Sequence, residues 1–134
     1  MTNEEMLVIA QKTIAETPGF IKHNKYKVEE VSLNHCKMSV DLTEESLNPN
    51  KTAHGGLIFG LADTTMGTLA RTTGRNITTI NAQIDYLKPG IGSKITCIAE
   101  PLKVGKTTAV YRANIYNEEE TLISSVTGTF FFLD

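Results

Sequence analysis

The chain has 134 residues, a length that suits one domain with a substantial core and is too short for two ordinary domains. Hydrophobic residues make up 40% and charged residues 21%, and no apolar run approaches the roughly 20 residues that cross a bilayer, which excludes a helical membrane protein. The net charge is -2, with Lys and Arg scattered among acids, so the chain offers no basic surface for nucleic acid.

The N-terminal segment predicts an amphipathic helix. Thr2 followed by Glu5 is a capping-box pattern, Pro18-Gly19 is a stop signal, and apolar residues recur between them at helical spacing, at Met6, Ile9, Ala10 and Ile14. We interpret residues 1–20 as a helical extension of a single domain spanning 1–134. The segment matches neither a signal peptide nor a transit peptide, so we expect a cytoplasmic protein.

Two strands are predicted next, over residues 26–33 and 36–42, and the alternation in the second indicates one buried face. Residues 43–53 are polar, contain a proline and two asparagines, and predict a loop. Cys36 and Cys97 lie in strand-like patterns without a CxxC spacing or a neighbouring His. This context favours small buried residues over a disulfide or a reactive thiol.

Residues 55–73 predict a central helix, because their apolar positions cover most of a helix circumference. Period-two patterning then predicts a strand over 78–86. Three further β-rich segments have the pattern of successive antiparallel hairpins, at 93–104, 107–117 and 121–133. One long buried helix and a meandering sheet predict an α+β fold, in which a curved antiparallel sheet wraps around the helix.

The start of the central helix is a candidate oxyanion site. A helix N-terminus has unpaired amide groups and a partial positive charge, and a glycine there lets a carbonyl oxygen approach the backbone closely. Gly55 and Gly56 are therefore candidate donors. Glycines that only permit close packing of helix against sheet would leave the same pattern.

Asp63 lies among apolar residues of the same helix, where a buried carboxylate without partners is costly. It is either an acid that is solvated or held locally by Thr64 or Thr65, or a base or nucleophile facing an electrophilic carbonyl. Asp63 follows Gly55 by eight residues, about 12 Å along a helix, so one chain cannot bring both to one atom. Two helices packed antiparallel across a two-fold axis can do so, which predicts a homodimer.

The combined pattern resembles the hotdog-fold acyl-CoA thioesterases of the phenylacetic-acid-degradation type. The resemblance covers about residues 25–134 and rests on Asn48, His54-Gly55-Gly56, Leu61-Ala62-Asp63, Thr79, Tyr86-Leu87-Lys88-Pro89, Val104-Gly105-Lys106 and Gly128-Thr129. It implies a hotdog fold and an enzyme that hydrolyses an acyl-CoA thioester to free acid and CoA, without a cofactor or metal. It also implies a homodimer as the minimal active unit and a homotetramer built as a dimer of dimers.

The resemblance assigns roles to individual residues. The Gly55 amide would polarise the thioester carbonyl, and Asp63 of the neighbouring subunit would activate water or attack directly. Asn48 would assist at the thioester, and Thr79 would help to place the water beside the acid. His54 would support the geometry of loop and helix, and the implied substrate contacts are His54, Gly56, Lys88 and Lys106.

Several assignments have competitors in the sequence. Asn50 competes with Asn48 for the polar role in the loop. Thr78 competes with Thr79 because neighbours on a strand face opposite ways, and the position relative to Tyr86 favours Thr79. Cations are the candidates for binding the phosphates of CoA, with the Gly105-Lys106 turn preferred by analogy: Lys88, Arg71, Arg75, Lys103 and Lys106.

Two other functions fit the same residues. One is a non-catalytic module that binds acyl-CoA, and the other is a dehydratase of hydroxyacyl thioesters, in which His54 and Asp63 share the proton transfers. The acyl group stays open at this point. Aromatic side chains could line a tunnel for an aromatic or medium-length chain, although aromatics on strands are normally core: Phe59, Tyr111, Tyr116 and Phe130-Phe131-Phe132.

Overall fold

The computed structural model describes residues 1–134. The helices are α1 (Asn3–Glu16), α2 (Phe20–Asn24) and α3 (Gly55–Arg71), and a 3-10 turn covers Glu44–Ser46. The strands are β1 (Lys27–Ser32), β2 (His35–Asp41), β3 (Ile77–Tyr86), β4 (Lys94–Val104), β5 (Thr108–Tyr116) and β6 (Leu122–Phe132). None of the helices is long and apolar enough to cross a membrane.

All six strands form one antiparallel sheet in the order β1-β2-β4-β5-β6-β3. The sheet wraps around α3, which packs against every strand, and this confirms the predicted α+β architecture. The hairpins β4-β5 and β5-β6 follow the predicted order. The sequence does not reveal the crossover, in which α3 carries the chain across the sheet so that β3 pairs with β6 at the far edge.

The burial of α3 follows its apolar pattern. Ten of its 17 residues are buried, including Leu61, Met66 and Leu69. Aliphatic side chains from β2, β4, β5 and β6 complete the core on the inner face of the sheet. Asp63 is half-buried at the margin of this core, which leaves its carboxylate accessible from one side.

A small cluster fixes the first half of α3 against the N-terminal segment. The buried Tyr26 hydroxyl donates to the Leu57 carbonyl at 2.8 Å, and burial raises the Tyr26 pKa, so that the phenol stays protonated as a donor. The ring of Phe20 lies 6.1 Å from that of Tyr26, between centroids. Phe20 begins α2, a helix too short for hydrophobic periodicity to reveal in the sequence.

The two cysteines are free and buried, as their sequence context favours. Burial raises the pKa of both Cys36 and Cys97 to about 12. Because the thiolate is the reactive form, both are inert core residues at neutral pH.

We expect Gly60→Ala to destabilise the protein. A β-carbon at this position would lie 2.5 Å from the Tyr26 hydroxyl oxygen and 2.8 Å from Cε2 of Phe20, so the change should lower the free energy of unfolding by about 1–3 kcal/mol. Gly67→Ala is the matched control on the same helix, because its β-carbon meets only Ile77 Cδ1, at 3.8 Å. The control should be neutral or stabilising by about 0.5–1 kcal/mol. Urea denaturation measures both, and equal stability of the two variants would contradict the packing described.

Candidate active site

In the first turn of α3, one of the two glycine amides makes a hydrogen bond within the turn itself. His54 is the N-cap residue, and its Nδ1 accepts a hydrogen bond from the Gly56 amide at 2.8 Å. This bond requires an unprotonated Nδ1, so the proton of the neutral ring is on Nε2. The Gly55 amide has no hydrogen-bond partner within the chain. Gly55, and not Gly56, therefore presents a free donor, and the side chain of His54 serves as a cap.

Tyr86 holds the same turn from the sheet side. Its hydroxyl donates to the Gly55 carbonyl at 2.8 Å, and burial raises its pKa. The side chain thereby links the end of β3 to the peptide that follows the free amide. Tyr86 belongs to the Tyr-Leu-Lys-Pro segment of the resemblance, but no role was predicted for it. The signal available was its position at a strand end, before the Pro89-Gly90 turn.

Asn48 builds the loop before α3, a structural role that the sequence did not indicate. Its Oδ1 accepts hydrogen bonds from the amides of Asn50 and Thr52, at 3.0 and 3.1 Å. Its Nδ2 donates to the Thr52 hydroxyl at 2.8 Å and, at 3.5 Å, to the Ala53 carbonyl. The side chain therefore builds the loop that leads into α3, and only its long bond to Ala53 leaves donor capacity for a substrate. Asn50 is exposed and its side chain makes no hydrogen bond.

The free amide opens into a shallow pocket, which we call the glycine cleft. It has a volume of about 500 Å³ and is lined by Asn48, Thr52, Ala53, Gly55, Gly56, Ile58 and residues 86–90. Lys88 is the one charged residue of this lining and is exposed. The glycine cleft therefore combines a helix N-terminus with one cation, a combination that favours an oxygen-rich or anionic group.

Asp63 is paired with Thr79 on the other side of α3. The Thr79 hydroxyl donates to Asp63 Oδ1 at 2.9 Å, and Oδ2 makes no hydrogen bond within the chain. Neither Thr64 nor Thr65 holds the acid; the Thr65 hydroxyl donates to the Leu61 carbonyl instead. One oxygen of Asp63 is thus fixed and the other is free to accept a proton.

A β-bulge at Ile80 turns Thr79 towards α3. In the pairing of β3 with β6, Thr79 lies opposite Phe130 and Asn81 opposite Thr129, so Ile80 is an extra residue on β3. Strict alternation from Tyr86 would point Thr79 away from the helix, so the inference from the position of Tyr86 was wrong although the residue was right. The bulge reverses the parity and turns Thr79 to Asp63. Bulges commonly re-aim a side chain beside a functional site.

Asp63 and Thr79 border a second pocket, which we call the acid cleft. It lies between α1 and the second half of α3 and has a volume of about 750 Å³. The acid cleft shares no lining residue with the glycine cleft. Within one chain, therefore, the free Gly55 amide and the Asp63 carboxylate face different cavities.

The other positively charged candidates differ in whether they are free to bind a CoA phosphate. Arg75 is occupied, because its guanidinium donates to the carbonyls of Asp134 and Lys106 and lies 4.1 Å from the centroid of the Phe132 ring. Lys103 and Lys106 line neither cleft, whereas Arg71 borders the acid cleft. No group of three or more His, Cys, Asp or Glu side chains is arranged to hold a metal ion.

The predicted aromatic tunnel does not form in the structure. Tyr111 and Phe130 pack edge-to-face in the core at a centroid distance of 5.7 Å. Of the aromatic residues proposed for a tunnel, only Phe130 borders the acid cleft. Tyr111, Phe130 and Phe132 instead fill the sheet core, as aromatic residues on strands commonly do, while Phe131 is exposed.

Comparisons with known proteins match this geometry. A family model described as the thioesterase superfamily matches residues 50–124. Acyl-coenzyme A thioesterase PaaI of Escherichia coli is 30% identical over 92 residues, which are 68% of this chain and 66% of that protein. The medium/long-chain acyl-CoA thioesterase YigI of E. coli is 40% identical over 52 residues, 39% of this chain and 34% of the relative. The chain thus spans two thirds or less of the length of these two relatives.

Solved structures give the same fold. The structure of E. coli PaaI superposes with a TM-score of 0.91, covering 99% of this chain and 97% of that one, at 22% identity. A hypothetical thioesterase protein from Streptococcus pneumoniae, solved with coenzyme A, is 30% identical with a TM-score of 0.77, over 81% of this chain and 88% of that chain. These similarities confirm the predicted hotdog fold.

We expect His54→Ala to lower the free energy of unfolding by about 1 kcal/mol, because it removes the N-cap of α3. His54→Asn should retain most of the stability, since an asparagine oxygen can accept the Gly56 amide bond. His23→Ala is the control, as His23 is exposed and its side chain makes no hydrogen bond. Chemical denaturation compares the three variants. Equal losses for His54→Ala and His54→Asn would show that the cap does not stabilise the helix.

Proposed function

This chain belongs to the thioesterase superfamily of thioester hydrolases, and from that premise we propose that it hydrolyses an acyl-CoA thioester to a free acid and CoA at a site built by two copies of the chain. Relatives that carry the names of acyl-CoA thioesterases support the substrate class. The S. pneumoniae structure with coenzyme A supports the same ligand.

The observation that carries the proposal is the separation of the two chemical groups. The free Gly55 amide opens into the glycine cleft and the Asp63 carboxylate into the acid cleft, about 12 Å apart along α3. Each is half of a hydrolytic site, an oxyanion donor and a base. Two antiparallel copies of α3 would bring the glycine cleft of one subunit to the acid cleft of the other, twice per dimer.

The free edge of β3 provides a surface for such a pairing. β3 bonds to β6 along one edge, and its other edge has no partner strand in the chain. Ile80, which is 51% exposed, projects from this unpaired strand. Long unpaired edges are templates for pairing with another chain, so β3 is the expected centre of a homodimer. A homotetramer that is a dimer of dimers stays a prediction from the resemblance.

The proposed reaction uses the groups as the structure holds them. The Gly55 amide donates to the thioester oxygen and stabilises the negative charge that develops when the carbonyl carbon is attacked. Oδ2 of the partner subunit's Asp63 accepts a proton from water while the water oxygen bonds to that carbon. The carbon–sulfur bond then breaks, and the CoA thiolate takes up a proton. Direct attack by Asp63, followed by hydrolysis of the anhydride, uses the same geometry.

The neighbouring residues position these groups. Thr79 orients Asp63 by its hydrogen bond to Oδ1, and Tyr86 and His54 hold the first turn of α3. Asn48 shapes the loop before Gly55 and offers its weakly bonded amide N–H to the thioester. Lys88 is the one cation that lines the glycine cleft and is our preferred contact for a CoA phosphate, in place of Lys106.

The first test measures turnover and its dependence on the acid. We expect wild-type protein to release free thiol from acyl-CoA, and Asp63→Asn to lower kcat by about 100-fold or more with little change in substrate affinity, as when a base becomes a neutral isostere. Thr79→Ala should lower kcat by a smaller factor. Glu100→Gln is the control, an exposed acid on β4 that makes no hydrogen bond and lines neither cleft.

Three outcomes of this experiment are informative. A normal kcat for Asp63→Asn would show that the carboxylate is structural. Binding of acyl-CoA by the wild type without release of thiol from short, long or aromatic substrates would identify a binding module. A fall in kcat limited to Asp63→Asn and Thr79→Ala supports hydrolysis.

The second test asks whether the site is shared between subunits. Gly55→Pro removes the amide proton donor and is compatible with the helix, because proline is tolerated at the first helical position and His54 has a backbone conformation (φ -61°, ψ 135°) that allows a following proline. Gly55→Ala adds the same β-carbon but keeps the N–H, and so measures the steric part of the change beside the Tyr86 hydroxyl. Gly55→Pro and Asp63→Asn are each expected to be nearly inactive.

The two inactive variants should complement each other when they are unfolded and refolded together. With random pairing, half of the dimers are mixed, and each has one intact and one doubly altered site, so about a quarter of wild-type activity should return. Native mass spectrometry establishes the fraction of mixed dimers. Mixed dimers without recovered activity would mean that both groups come from one chain.

A further inference from the structure

The acid cleft extends far beyond the Asp63 carboxylate. It continues from Asp63 and Thr79 along α3 to Arg71 and Gly74, with α1 as the opposite wall. Its volume of about 750 Å³ lies within the range of roughly 300–1,000 Å³ that is typical of small-molecule pockets. Hydrolysis itself needs only the mouth of this cavity, so its depth calls for another occupant.

Apolar side chains and threonines make up most of the lining of the acid cleft. Met6, Ala10 and Ile14 line it from α1, and Ile77 and Phe130 line it from the sheet. Seven threonines also border it. The hydroxyls of Thr13, Thr17, Thr68 and Thr72 donate to helix carbonyls and that of Thr79 donates to Asp63, which leaves those of Thr64 and Thr78 without a partner. The cavity therefore favours a mainly apolar group.

Gly67 keeps the cavity open at the middle of α3. Glycine in a helix interior is destabilising relative to alanine, and such a residue usually has a packing reason. Gly60 and Gly128 have one, because an added β-carbon would lie within 3.0 Å of neighbouring side chains. At Gly67 the nearest atom would be Ile77 Cδ1 at 3.8 Å, an ordinary contact. The missing side chain at Gly67 thus serves no packing and leaves space in the cavity.

The charged side chains of the cleft mark its two ends. Asp63 lies at one end and the exposed Arg71 at the other, eight residues further along α3 or about 12 Å. An extended chain advances about 1.2 Å per bond, so this length holds a chain of about ten atoms. No charged side chain lies between these ends.

We propose that the acid cleft is the acyl chamber of the enzyme, that it takes an unsubstituted straight chain of about ten carbons, and that Gly67 and the facing Ala10 of α1 set its depth. The proposal rests on the proposed function, because it places the thioester carbonyl at Asp63 and the chain between α1 and α3. Chain-length specificity then depends on α1, the N-terminal helix outside the wrapped core.

To test this, larger side chains are introduced on each wall of the chamber. Gly67→Leu fills it from α3 and Ala10→Phe from α1, while Gly67→Ala is a smaller step that the helix favours. Ala15→Phe is the matched control, since Ala15 is exposed on α1 and does not line the cleft. The readout is kcat/KM for decanoyl-CoA and for butyryl-CoA. The same comparison is made as Kd on an Asp63→Asn background, which requires no turnover.

We expect the wild type to prefer decanoyl-CoA over butyryl-CoA by at least about tenfold. Gly67→Leu and Ala10→Phe should each lower kcat/KM for decanoyl-CoA by about tenfold or more, with butyryl-CoA within about twofold of wild type, and Gly67→Ala should lie between. Ala15→Phe should leave the ratio unchanged.

The chamber would be overturned, with hydrolysis left intact, if the ratio of kcat/KM for decanoyl-CoA to that for butyryl-CoA were unchanged in both Gly67→Leu and Ala10→Phe. An equal change of this ratio in Ala15→Phe would overturn it as well. Absence of thiol release by the wild type would instead overturn the proposed function. In that case the Kd ratio still decides whether the chain lies in the acid cleft. If Gly67→Leu does not fold, Ala10→Phe and Gly67→Ala decide the question.

Discussion

The site depends on the rigidity of one helix. α3 holds a free amide at its first residue and a carboxylate eight residues later, and a regular helix fixes these groups about 12 Å apart. No side-chain rotation can close such a distance, because the amide belongs to the backbone. The sheet that wraps α3 also prevents the helix from bending or unwinding. For this reason the proposed site takes its second group from another copy of the chain.

The hydrogen bonds around the two groups select their chemistry. At the helix start, His54 occupies the Gly56 amide and Tyr86 holds the Gly55 carbonyl, so one amide of the turn remains for a ligand. At the acid, Thr79 occupies one carboxylate oxygen and leaves the other. Each group is thus oriented before a substrate arrives. Such preorganised donors and acceptors need little rearrangement as charge develops in a transition state.

Hydrophobic periodicity predicted the parts of this molecule that depend on a repeating pattern. The central helix and the alternating strands were predicted within a few residues, since burial of one face leaves a regular signal. Features that depend on single contacts were not predicted. The bulge at Ile80 adds one residue without breaking the composition of the strand, and the side chain of Asn48 closes a loop that no periodicity describes.

The same distinction applies to the candidate site, of which some features could be predicted from the sequence and others could not. The sequence located Gly55 and Asp63 from their chemistry, as a glycine at a helix start and an acid in an apolar stretch. It could not show which amide of the glycine pair is free, because that depends on the rotamer of His54. Nor could it rank Lys88 above Lys106, since their positions follow from the crossover that sends β3 to the far edge of the sheet.

The loose attachment of α1 has a consequence for how the molecule moves. Only Met6 of this helix is buried, and Gln11 provides its one side-chain hydrogen bond to the sheet, to the Val28 carbonyl. Elements with few buried contacts open at a smaller free energy than the whole fold, so amide hydrogens of α1 exchange with solvent before those of α3. Such local opening exposes the interior face of the helix for brief periods while the sheet stays intact. If the acid cleft holds an acyl chain as proposed, this opening gives the chain a lateral entry between α1 and α3.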